Sequence, residues 1–160
     1  MTRTRSTTQH SDAALPVRPV RLREGDELPR AVAGPLTRTD FVRYAGAGGD
    51  LNAVHHDETV AQRAGLPSVF GMGMLHAGML GNRLARWVGP DNIRSFSVRF
   101  TSQVWPGDEL TFSGHVTRLE RQDDGHAHAE ITLSIVNQSG QEVLRGQATA
   151  LVSGQDANCD

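Results

Sequence analysis

The 160-residue chain contains no lysine, and all sixteen of its basic residues are arginine. That absence excludes Schiff-base chemistry and the phosphate-binding P-loop, both of which need a lysine amine. Cysteine is nearly absent as well, since the single one, Cys159, stands next to last in a polar tail. Disulfides, thiolate metal clusters and a cysteine nucleophile are therefore not expected. Basic charge is not in excess either, because the formal net charge is -2, so nucleic acid is not an expected partner. No apolar run suits a signal peptide or a membrane helix, which predicts a cytoplasmic protein with no membrane contact.

What remains is one ordinary globular chain, 38% hydrophobic and 21% charged. A domain usually takes about 100 to 200 residues, so one fold must carry the function. The first twenty residues, MTRTRSTTQHSDAALPVRPV, mix arginine, threonine, serine and proline and predict a flexible arm over 1–20. A single domain is then expected over 21–153, with a polar tail at 154–160.

Within that domain, PLTRTDFVRYAGAGG predicts a helix, with Thr37 as cap, Asp40 at the third helical position and Leu36 placed to pack on Phe41. The glycines at 46, 48 and 49 should end it. DETVAQRAG predicts a second, short helix with Gly65 and Pro67 beyond its end. From Gly71 to Val88, the residues Met72, Leu75, Met79, Leu80, Leu84 and Trp87 recur at helical spacing, and Gly73, Ala77 and Gly81 form a smooth row. Asn82, Arg83 and Arg86 break up any membrane-spanning reading, so a buried helix is expected, with something pressed closely against the row. After Gly89 and Pro90 the period changes to two. Phe96, Val98 and Phe100 start a run of about four antiparallel strands, with turns at WPGDEL and DDGH and a last strand over EVLRGQATALV. The pattern predicts an α+β fold, with an antiparallel sheet curled around one long helix.

The segment GDLNAVHHDE, residues 49 to 58, joins the two short helices and gathers the chemistry. His10, His115, His126 and His128 suit solvated surface positions. His55 and His56 are adjacent and should point apart, without the helical histidine spacing of a metal site, so no metal is expected. Asp57 and Glu58 open a helix, where its dipole is reason enough for them. Asp50 and His55 lie on an irregular stretch that could turn both to one side. As residues alone, a turn aspartate beside a core histidine is the favoured reading.

The stretch GDLNAVHHDETVAQRAGLPSVFGMGMLHAGML resembles the signature of the MaoC-like dehydratases. That family includes the (R)-specific enoyl-CoA hydratases and the mycobacterial type of β-hydroxyacyl-ACP dehydratase. The likeness extends through EGDELP and VRFTSQVWPGDELTFSGHV and covers about residues 22 to 152. It implies a hotdog fold, in which the sheet wraps a central helix, and a dimer, either homodimeric or with a related hotdog subunit. It implies hydration and dehydration of 2-enoyl and (3R)-3-hydroxyacyl thioesters carried on CoA or acyl carrier protein, with no cofactor, in fatty acid or polyketide metabolism. By the same resemblance, Asp50 activates water and His55 holds that water and passes a proton to C2. Gly73 offers its amide to the thioester oxygen, and Asn52 fixes the loop. Two departures stand out: Ala53 replaces the usual proline, and Met72 replaces the usual histidine before the glycine. His76, one turn beyond Met72, is expected as a buried helix histidine with an ordinary partner. The alternatives are a hotdog thioesterase and a non-catalytic acyl-binding partner of a heteromeric dehydratase.

Overall fold

The computed structural model describes residues 18–122 and 125–154. Most of the expected arm and tail, with His10 and Cys159, therefore lies outside the described residues, as do the two aspartates of the DDGH turn. Val20, assigned to the arm by sequence, instead forms a two-residue strand, β1 (Val20–Arg21), parallel to the end of the last strand at Val152.

The first helix, α1 (Arg38–Gly48), starts as its sequence dictates. The Thr37 hydroxyl accepts from the Asp40 amide at 3.2 Å, and the Asp40 carboxylate accepts from the Thr37 amide at 2.8 Å. Each thereby satisfies an amide that a helix start leaves open. Of the three glycines expected to end the helix, Gly46 lies inside it, whereas Gly48 is its last residue and Gly49 its cap, whose φ of +74° is the left-handed conformation that glycine adopts without strain. A 3₁₀ turn (Ala53–His55) follows, then α2 (Glu58–Arg63), whose cap is Asp57.

The long helix α3 (Gly73–Val88) buries one face, consisting of His76, Ala77, Leu80, Leu84 and Val88. Met74 and Asn82 face outward, while Arg83 lays its guanidinium 4.4 Å over the Phe112 ring. Four long strands then pair antiparallel: β3 (Ile93–Phe100) with β6 (Glu142–Ser153), β6 with β5 (His126–Asn137), and β5 with β4 (Leu110–Arg121). A short strand, β2 (Ala31–Ala33), joins β4 at the far edge. Alternation makes β5 one-sided, since Ala127, Ala129, Ile131, Leu133 and Ile135 are all buried. His126 and His128 on the same strand are half-buried rather than fully solvated, whereas His115 is exposed.

Helix and sheet meet closely at Gly146, where a Cβ would stand 3.2 Å from Leu133 Cβ and 3.5 Å from Leu80 Cδ2. Burying a leucine such as Leu80 contributes about 1.5–3 kcal/mol, and this layer supplies most of the core. The smooth row on α3 has the close neighbour its sequence demands, which is β3. A Cβ on Gly73 would lie 2.8 Å from the Phe100 ring, and one on Gly81 3.3 Å from Phe96. Among the described residues no helix is long and apolar enough to cross a membrane.

Candidate active site

Asp50 follows directly on the left-handed glycine that ends α1, so its position is set by that cap. Its Oδ1 accepts from the Asn52 amide at 3.3 Å, and Asn52 Oδ1 accepts in turn from the Val54 amide at 3.3 Å. These two local bonds start the 3₁₀ turn that carries His55. Asn52 thus does hold the loop backbone.

The turn brings Asp50 and His55 together, with Oδ2 and Nε2 3.6 Å apart. That is too long for a direct hydrogen bond between them. His55 Nδ1 lies 2.8 Å from the Phe70 carbonyl oxygen. A carbonyl only accepts, so Nδ1 carries the proton and, in the neutral ring, Nε2 keeps its lone pair toward Asp50. The imidazole is buried and packs edge-on against Phe70 at 4.6 Å, and Phe70 rests in turn on Trp105. The carboxylate of Asp50 is 47% exposed. One partner is fixed and dry; the other is open to solvent.

His56 points elsewhere, with Nε2 3.3 Å from the Leu51 carbonyl, and Asp57 accepts from the Thr59 and Val60 amides to cap α2. Among the described residues no group of three or more histidine, cysteine or acidic side chains could hold a metal.

Beside the pair begins α3. Met72 precedes it, buried to 1% exposure, and no side chain caps the helix. The first amides of an uncapped helix have no partner within it and lie at the positive end of its dipole, where the Gly73 N–H stands. Gly73 is glycine in this structure because the Phe100 ring occupies the space a Cβ would need. Asp50, His55, Gly73, His76, Phe100 and Gln103 line one cleft of about 440 Å³.

His76 departs from expectation. It is buried to 3% exposure, but among the described residues its Nε2 has no hydrogen-bond partner. Burial pushes its imidazole down to about 4, against an opposing pull from Asp108. Two further contributors escaped the sequence reading. Phe70 acts through a backbone carbonyl, which leaves no mark in residue type, and Phe100 could have been found only by matching the alternation of β3 to the glycine row.

Comparison with known proteins identifies the fold and family. The profile of the MaoC like domain matches residues 22–138. The 3-hydroxyacyl-thioester dehydratase X of Mycobacterium tuberculosis is 39% identical over 77 residues, which are 48% of this chain and 26% of that protein. The chain spans only 5 to 26% of the length of the curated relatives it matches. Among solved structures, the (R)-hydratase of A. caviae involved in PHA biosynthesis superposes with a TM-score of 0.70 at 25% identity, covering 82% of this chain and 97% of that one. A chain of the ChsH1-ChsH2 complex of Mycobacterium tuberculosis gives 0.68 at 26% identity, covering 82% and 98%. Fold and sequence profile agree, and the chain belongs to the MaoC-like dehydratase domain family, with its hotdog fold.

Proposed function

We propose that this protein is a hydro-lyase that interconverts 2-enoyl and (3R)-3-hydroxyacyl thioesters carried on CoA or acyl carrier protein. The observation that carries the reading is the Asp50–His55 pair, 3.6 Å apart, with the imidazole held by Phe70 so that both facing atoms are acceptors. A water between two acceptors donates both hydrogens and turns a lone pair outward, which is the arrangement needed to attack C3. In that arrangement neither facing atom carries a proton, so the proton delivered to C2 is the one taken from that water.

In the hydration direction, Asp50 orients the water by accepting from one of its O–H groups, and the other O–H bond breaks toward His55 Nε2 as the water oxygen bonds C3. The displaced π pair moves to the thioester oxygen, where the Gly73 amide and the dipole of α3 stabilise it. The proton returns through His55 to C2 as the carbonyl re-forms. Water is consumed whole, and dehydration is the same path reversed. Only proton transfers are involved, so the chemistry needs no cofactor beyond the carrier of the acyl group. Each positioned transfer is typically worth about 10²- to 10⁴-fold in rate.

The protein also pairs with a second hotdog subunit, in a homodimer on this reading. Phe96 and Phe100 are partly exposed on β3, which among the described residues pairs only with β6 and so presents one open edge.

The test gives the purified protein a short 2-enoyl-CoA while enoyl absorbance and free thiol are followed together. Loss of absorbance without thiol supports the proposal. Thiol release points to a thioesterase, and no change points to an acyl-binding partner subunit; either result overturns it. Asp50→Asn and His55→Ala should each lower kcat about 10²-fold or more, and an unchanged rate in either refutes the site.

A further inference from the structure

The cleft holds a second imidazole that this mechanism does not use. Side chains on a helix lean toward its N-terminus, and His76 accordingly lays its ring at the start of α3, against Gly71. A Cβ on residue 71 would stand 2.8 Å from Nε2 and 2.9 Å from the Phe41 ring, so only glycine leaves room for this ring. His76 is 97% buried and lines the cleft together with Asp50, His55 and Gly73, and its Nε2 has no partner among the described residues. An unpaired buried nitrogen is costly, and leucine would fill similar volume without that cost. At neutral pH the ring is uncharged, because burial holds it down to about 4. It therefore offers a hydrogen bond rather than a proton. Thr101, Ser102 and Gln103 line the same cleft, so its wall is not purely hydrocarbon.

We propose that His76 is a specificity-determining residue, whose imidazole hydrogen-bonds an oxygen on the acyl group and so makes the cleft prefer oxygenated acyl thioesters over plain hydrocarbon ones. The inference deepens the lyase reading and rests on the same cleft. A site that hydrogen-bonds a substrate hydroxyl discriminates against the analogue that lacks it, because its own polar group is then left unpaired.

The experiment compares kcat/KM for 2-hexenoyl-CoA with that for its 4-, 5- and 6-hydroxy analogues, in the full-length wild type, His76→Leu and His76→Asn. The wild type should favour at least one hydroxylated substrate by about tenfold or more. His76→Leu should bring that ratio close to one, and His76→Asn, which keeps a hydrogen-bonding group, should retain part of it. A merely structural histidine would change stability without moving the ratio. No preference in the wild type, or an undiminished one in His76→Leu, overturns the proposal. If no substrate turns over, the lyase reading has failed, and calorimetric Kd values for hexanoyl-CoA and its hydroxy analogues decide the inference alone. Tighter hydroxy binding that is lost in His76→Leu sustains it; equal or absent binding overturns it.

Discussion

Burial of His76, whose Nε2 has no partner among the described residues, makes stability depend on pH in a predictable way. Its imidazole falls from an ordinary value of 6.5 to about 4 in the folded protein, with desolvation as the main cause. Between those values the unfolded chain binds a proton at this side chain and the folded protein does not. Stability therefore drops as pH falls through 6.5 and levels off below about 4. At 1.36 kcal/mol per pKa unit, the whole excursion is worth about 3 kcal/mol, and about 2 kcal/mol of it falls between pH 7 and pH 5. Urea unfolding of the wild type and of His76→Leu at those two pH values measures it. Other titrating groups are common to both proteins and cancel in the difference. The wild type should lose about 2 kcal/mol more than the variant over the interval. At pH 7 the leucine variant should be at least as stable, because a buried unpaired nitrogen has been replaced by an apolar group of similar size. Equal losses in the two proteins would refute the reasoning.

The two glycines that flank Met72 should respond differently to alanine. At Gly71 the new methyl meets the buried His76 and Phe41 rings, so a loss of stability near 3 kcal/mol is expected, the upper end for overpacking. At Gly73 it meets Phe100, which is 48% exposed and can swing away, so about 1 kcal/mol is expected from thermal unfolding. Adding Phe100→Ala should recover most of the Gly73→Ala loss, and strictly additive effects would show that the ring is not what excludes the methyl. If β3 joins two subunits, light scattering at micromolar concentration should give twice the 17.3 kDa of one chain, and a monomer would remove the pairing.

The parts of the fold that could be read from the sequence depend on neighbours close along the chain. The Thr37–Asp40 capping box lies within four residues, and the alternation of β5 needs only its own twelve. Both were legible. The smooth row on α3 announced that something lies against it, and β3 does so, but the pairing of Gly73 with Phe100 and Gly81 with Phe96 depends on how the strand docks. Gly46 misled because a helix tolerates an interior glycine at about 1 kcal/mol, so the end is set by the left-handed residue, here Gly49. At the site, spacing nominated Asp50 and His55, but it could not separate a working pair from a turn aspartate beside a core histidine. What the structure adds is the Phe70 carbonyl, fifteen residues beyond His55, which lies 2.8 Å from Nδ1 and leaves Nε2 3.6 Å from the carboxylate.

Three local choices around the cleft run against stability. Serine, threonine or aspartate at position 72 would cap α3 and contribute about 1 kcal/mol, whereas Met72 leaves the helix amides open. Leucine at position 76 would avoid an unpaired buried nitrogen, whereas His76 keeps one. Alanine at position 73 would favour the helix by about 1 kcal/mol in intrinsic propensity, whereas glycine admits the Phe100 ring beside the open amide. A single such departure is unremarkable in a natural chain. Three within five residues, all facing the cleft that holds the Asp50–His55 pair, are what a binding site looks like when open donors and acceptors are kept for a ligand. The unpaired groups also differ in kind. On the proposed lyase reading, the Gly73 amide suits a developing negative charge on oxygen and the neutral imidazole of His76 a hydroxyl, and a ligand that satisfies both would carry oxygen at two places: the thioester carbonyl and the acyl chain.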